Sequence, residues 1–199
     1  MTKKEKLSPV EKVNPLNCAN RALYDNGELF LNGVISNDAW SINDLCRMLR
    51  GYPLLVGKGA KTLVLHIDSP GGSVFTGFSI MNAIKSAQKK GVKVVGVVDG
   101  LAASMGACIL QVCDERVAMK YSRLMIHEVS QWKFLSNDKC SEAEEEVKEL
   151  KKVNDILLTL ISERTGKSSK EVKDVMRKTD VWLSPEESLK FGLIDRVEE

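Results

Sequence analysis

The sequence predicts an α/β fold. Three observations carry the prediction: short β-branched and aliphatic runs that stop at Gly, Asn, Asp or Ser, stretches of helical apolar spacing between them, and the regular alternation of the two. Alternation of this kind calls for crossover helices and a largely buried, mainly parallel sheet. At 199 residues and 43% hydrophobic composition the chain is long enough to bury a substantial core.

Taken in order, "GELFLNGVI" (27–35) is the first strand, and "SINDLCRMLRGY" (41–52) has the apolar spacing of a helix. "KTLVLHIDS" (61–69) is the second strand, followed by a helix over 74–91 whose Ile80, Met81, Ile84 and Ala87 share one face and whose lysines and Gly91 mark its end. "VKVVGVVDG" (92–100) is the third strand, ending at Asp99 and Gly100, with a helix opening at Ser104. "ERVAMKYSRLMIHEV" (115–129) supplies two more short strands. The longest helix spans 141–166, with an apolar stripe of Val147, Leu150, Val153, Leu157 and Ile161 and a second patch of Ile156, Leu158 and Leu160 on other faces. A short helix from Lys170 and the tail "WLSPEESLKFGLIDRVEE" complete the chain.

Composition excludes several classes of function. With 29 basic and 27 acidic residues the formal charge is +2, which gives no case for nucleic acid or an acidic membrane as partner. No apolar run approaches the ~20 residues that span a bilayer, and the basic first residues have no apolar stretch behind them as a signal peptide would. A cytoplasmic location is expected. Cys18, Cys46, Cys108, Cys113 and Cys140 are odd in number and scattered, which suits reduced thiols, and Cys108 and Cys113 read as core residues and not as metal ligands.

The chemistry is carried by two strand-to-helix turns. In "DGLAASMGA" (99–107) Ser104 stands at a helix start among Ala102, Ala103, Gly106 and Ala107, small residues that let another backbone approach. A lone serine in that setting is most often an N-cap. The second turn, "DSPGGSV" (68–74), changes the weighting: turns after neighbouring parallel strands open at one edge, which would aim the amides of Gly72 and Met105 into one cleft beside Ser104 in the layout of an oxyanion hole. A hydroxyl nucleophile needs a base, and the chain has two histidines. His66, inside "LVLHID", reads as a sheet histidine, whereas His127 closes "SRLMIH" 23 residues after Ser104, room enough for the chain to return to the cleft.

"SPGG", "GLAASMGA", "SRLMIH" and "WLSPEESLKFGLID" resemble, in order and rough spacing, the ClpP-type serine peptidases over about residues 27–197. The resemblance implies a ClpP/crotonase-like fold of repeated β-β-α units with a protruding helix-and-strand handle, and divides the chain into a partly flexible N-terminal extension (1–26) and a peptidase domain (27–199). It makes Ser104 the nucleophile, His127 the general base, Asp180 the orienting acid, and Gly72 and Met105 the oxyanion-hole amides. The residues alone do not separate Asp180 from Asp114 or Asp195. No metal or organic cofactor is implied.

The partners implied are polypeptide substrates and further copies of the chain in stacked rings, with an ATP-dependent unfoldase in housekeeping members. Two segments depart from the family: "EVSQWKFLSNDKC" lacks the Pro and glycines usual after "MIH", and the N-terminal extension does not resemble the axial loops that dock an unfoldase. "DSPGGSVFTGFSI" and "SERTGKSSKEVKDVM" are closer to the phage and prophage branch, linked to capsid processing. Two other classes share the fold. A crotonase-like acyl-CoA enzyme needs no Ser–His pair, and a non-catalytic ring subunit would have lost triad positions that are all filled here.

Overall fold

The computed structural model describes residues 26–36, 40–55, 61–129, 140–177 and 179–199. The N-terminal extension up to residue 25 and the stretch 130–139, where the handle strand is expected, lie outside the described residues. Among the described residues seven strands and six helices alternate as expected for α/β: β1 (Glu28–Asn32), α1 (Trp40–Leu55), β2 (Thr62–Ser69), α2 (Val74–Gln88), β3 (Lys93–Ala103), α3 (Met105–Leu110), β4 (Glu115–Met119), β5 (Arg123–Ile126), α4 (Cys140–Thr165), α5 (Ser169–Met176), β6 (Val181–Leu183), α6 (Pro185–Phe191) and β7 (Arg196–Glu198). Among the described residues no helix is long and apolar enough to cross a membrane.

β1-β2-β3-β4-β7 form a parallel sheet in that order, while β5 pairs with the end of β3 and β6 runs antiparallel on β5. The centre of β3, Val94 to Val98, is buried throughout, as a strand covered on both faces must be. The main core packs the helices against one sheet face, and Val95, Val97 and Val117 form a smaller cluster on the other.

Several boundaries differ from the expected ones; the first strand, expected over 27–35, ends at Asn32 and leaves Ile35 as an isolated bridge to Gly72. β3 was expected to stop at Asp99 and Gly100 but continues to Ala103. "DG" is a bulge inside the strand: pairing with β2 shifts register after Ile67, the Leu101 N–H donates to the Asp68 carboxylate at 3.1 Å, and a Cβ on Gly100 would meet that carboxylate at 2.9 Å. Helix α1 runs past Pro53 to Leu55, and α2 ends at Gln88 because Gly91 turns the chain at φ 85°. In α4, Val153, Leu157 and Ile161 are buried as the stripe implies, and Leu158, expected on the second patch, is buried with them. Val147 and Ile156 stay exposed.

Arg116 ties the C-terminal segment to this core. The residue is 5% exposed, and its guanidinium donates to both oxygens of Asp195, to the Gln111 side chain and to the Gly192 carbonyl. Arg116→Ala is expected to lower unfolding free energy by about 1–3 kcal/mol in denaturant titration, the range for leaving buried acceptors unpaired, since the Asp195 carboxylate it strands is 39% exposed. A loss under about 1 kcal/mol would show the network to be structurally idle. Burial pushes the Asp195 carboxyl up, and its hydrogen bonds from Arg116 more than reverse this, so its pKa is lowered. The stability this pair contributes is therefore present above the ordinary aspartate range near pH ~4 and is lost as pH falls through the lowered native value.

Candidate active site

Ser104 sits at the elbow between β3 and α3 with φ 54° and ψ −118°, alone among the described non-glycine residues in having positive φ. Such backbone costs of order 1–3 kcal/mol and persists only where surroundings enforce it. They do so here: the Ser104 N–H donates to the Met125 carbonyl at 2.8 Å, and its own carbonyl accepts from Cys108 N–H at 3.2 Å. Although Ser104 occupies the N-cap position, its side chain makes no capping bond. The hydroxyl instead meets His127 Nε2 at 2.8 Å.

Strand pairing brings the partners together. β5 runs parallel to the last residues of β3, with Ala103 opposite Met125, so His127 emerges just past the Ser104 elbow. β6 lies antiparallel on β5 with Ile126 opposite Val181, and one step further along that register sets His127 opposite Asp180. Asp180 Oδ1 is 3.4 Å from His127 Nδ1, with the carboxylate 55% exposed. The competing carboxylates are engaged elsewhere: Asp114 accepts from the Val94 N–H at 2.7 Å, and Asp195 holds Arg116. His66 is also accounted for, stacked on Phe30 at 4.8 Å and paired with Asp99 at 3.0 Å.

The glycine turn after β2 lies against the elbow. A Cβ on Gly71 would come within 2.7 Å of Ser104 Cβ, so this close approach requires glycine. The Gly71 carbonyl accepts from Ile35 N–H at 2.8 Å. In a trans peptide the carbonyl and the following N–H point opposite ways, so the Gly72 N–H faces away from Ile35. No described residue accepts from the Gly72 or the Met105 amide. Sequence reasoning named Gly72 and passed over Gly71, which the paired glycines of "SPGG" were there to flag.

A cavity of about 370 Å³ opens beside these groups, lined by Gly72, Ser104, Met105 and His127 and walled by apolar side chains that include Leu157, Ile161 and Met176. Cys108 also lines it, but burial pushes its thiol up to about 12, so it stays protonated and is no rival nucleophile. Cys46, Cys108 and Cys113 are buried free thiols. Among the described residues no group of three or more His, Cys, Asp or Glu is placed to hold a metal ion.

Residues 17–199 match the Clp protease family. The chain is 40% identical over 141 residues to ATP-dependent Clp protease proteolytic subunit 2 of Prochlorococcus marinus (strain MIT 9312), over 69% of this chain and 66% of that one. It is 38% identical over 141 residues to proteolytic subunit 3 of Synechococcus sp. (strain CC9605), over 69% and 67% of the two chains. With proteolytic subunit 1 of Protochlamydia amoebophila (strain UWE25) it shares 32% identity over 179 residues, 88% and 82% of the two. The match thus spans just under two thirds of the Prochlorococcus relative's length.

Proposed function

The chain belongs to the Clp protease family, and from that premise we propose that it is a serine endopeptidase acting through Ser104, His127 and Asp180. The observation that carries this reading is the 2.8 Å contact between His127 Nε2 and Ser104 Oγ. His127 takes the hydroxyl proton as Ser104 attacks a peptide carbonyl, and then protonates the leaving amine. The amides of Gly72 and Met105 receive the oxyanion, at the start of a helix whose dipole favours negative charge. Asp180 holds the imidazole in the tautomer that leaves Nε2 free to accept. Water then hydrolyses the acyl-enzyme by the same steps in reverse.

A fluorophosphonate probe tests the reading directly, because it labels a serine only when a base and an oxyanion hole activate it. Stoichiometric labelling of the pure protein at Ser104 is expected, and absence of labelling at neutral pH would overturn the reading. Neither alternative class, a crotonase-like acyl-CoA enzyme or a ring subunit without catalysis, predicts a labelled serine.

The substrate class is polypeptide, and an ATP-dependent partner is part of the proposal because the relatives are named as proteolytic subunits of an ATP-dependent protease. Assembly of the chain into rings is supported by α4, where Ile156 is 54% exposed on a face other than the buried one, and Val147, in line with the buried stripe but nearer the helix start, is left 48% exposed. Light scattering at micromolar concentration is expected to give a mass many times the 22.1 kDa of one chain, and an active monomer would refute assembly. The cytoplasm suits its buried free thiols.

A further inference from the structure

Ser69, the last residue of β2, is fully buried, and its hydroxyl has no part in the mechanism above. Ser69 Oγ donates to the Gly33 carbonyl at 2.6 Å and accepts from the Gly71 N–H at 3.1 Å. Its own carbonyl lies against α3, where a Cβ on Gly106 would come within 3.1 Å of it. The side chain therefore joins the chain just past β1 to the glycine turn, while the residue's backbone packs beside the helix that follows Ser104.

The peptide between Gly71 and Gly72 is the weak point of the proposed oxyanion hole. Both residues have positive φ, 92° and 142°, and neither has a Cβ to resist rotation. A flip of that peptide would turn the Gly71 carbonyl toward the cleft and put an acceptor where negative charge must be received. The Ile35 N–H bond to the Gly71 carbonyl opposes the flip directly, and the bond from the Gly71 N–H to the Ser69 hydroxyl holds the preceding Pro70–Gly71 peptide and with it Gly71 Cα, a pivot of that rotation. The first is backbone and comes with the fold, whereas the second depends on residue type.

We propose that Ser69 is a positioning residue whose hydroxyl anchors the Pro70–Gly71 peptide to the end of the neighbouring strand and so fixes the pivot from which the Gly72 amide is aimed at Ser104. The proposal rests on the reading of Gly72 as an oxyanion donor. Ser69→Ala is expected to lower kcat on a short fluorogenic peptide by about 10-fold or more, below the 10²- to 10³-fold seen when a donor is deleted outright, with KM unchanged. Affinity for a peptide boronate, whose tetrahedral adduct on Ser104 places an oxygen at the amides, should weaken by a similar factor. A non-reacting peptide of the same sequence should bind as it does to wild type. Ser69→Thr, which keeps the hydroxyl, should recover most of kcat.

A purely structural serine would lower the thermal midpoint while leaving kcat per folded site and the boronate-to-peptide affinity ratio unchanged. That result overturns the proposal, as does a Ser69→Ala kcat within about twofold of wild type. If Ser69→Ala does not fold, Ser69→Cys keeps the volume with a far weaker hydrogen-bonding group; weakened boronate affinity there supports the proposal and wild-type affinity overturns it. Fluorophosphonate labelling of wild type separates the two readings. An unlabelled wild type sinks the peptidase assignment, whereas a labelled wild type with an unimpaired Ser69→Ala sinks the positioning role alone.

Discussion

Ser104→Ala is expected to abolish hydrolysis of a short fluorogenic peptide, with a loss of order 10³-fold or more in kcat, while the fold survives. The atom proposed to make the bond is removed, and the side chain gives up only its 2.8 Å contact with His127, because the hydroxyl caps nothing. The backbone strain at φ 54° stays. That gives the prediction a second reading: Ser104→Gly, equally inactive, adopts the same φ without a Cβ penalty and should unfold at a temperature no lower than Ser104→Ala. More than a tenth of wild-type turnover in pure Ser104→Ala would remove the assignment of the nucleophile.

The second large effect is expected at Asp180. An asparagine there presents an N–H to His127 Nδ1 and favours the tautomer with the proton on Nε2, which then cannot accept from Ser104. Turnover should fall by roughly 10²- to 10⁴-fold, with the lower end reflecting the 3.4 Å separation and open setting of this pair. Asp114→Asn and Asp195→Asn are the controls. Their carboxylates serve the Val94 amide and the Arg116 guanidinium, so their loss should appear in stability and not in kcat per folded site. If Asp195→Asn cripples turnover and Asp180→Asn does not, the wrong carboxylate has been named.

Much of this arrangement was legible in the sequence because its signals are local. The runs "KTLVLHIDS" and "VKVVGVVDG" announce buried strands by composition, and the helices between them by apolar spacing. Ser104 was conspicuous as a hydroxyl among small residues after a strand, and His127 as the end of "SRLMIH". Even so, residue type could not tell a capping serine from one aimed at a base. That distinction lies in a side-chain rotamer and a positive φ, and both are imposed by Met125 and Gly71 from elsewhere in the chain.

The sequence by itself determined the α/β alternation, the two turns that open at one sheet edge, and the residue types available for chemistry there. The tertiary structure decided what depends on register and packing between distant segments. Asp180 stands opposite His127 because β6 pairs with β5 so that Val181 faces Ile126, and no local pattern encodes a pairing between strands so far apart. β3 runs past its glycine because Asp68, on the neighbouring strand, pairs with the bulge. Leu158 is buried with the stripe of α4 because the core reaches past that stripe. A propensity or a cap acts over a few residues, whereas strand register and core shape are set by the whole set of contacts at once, and there the sequence pattern runs out.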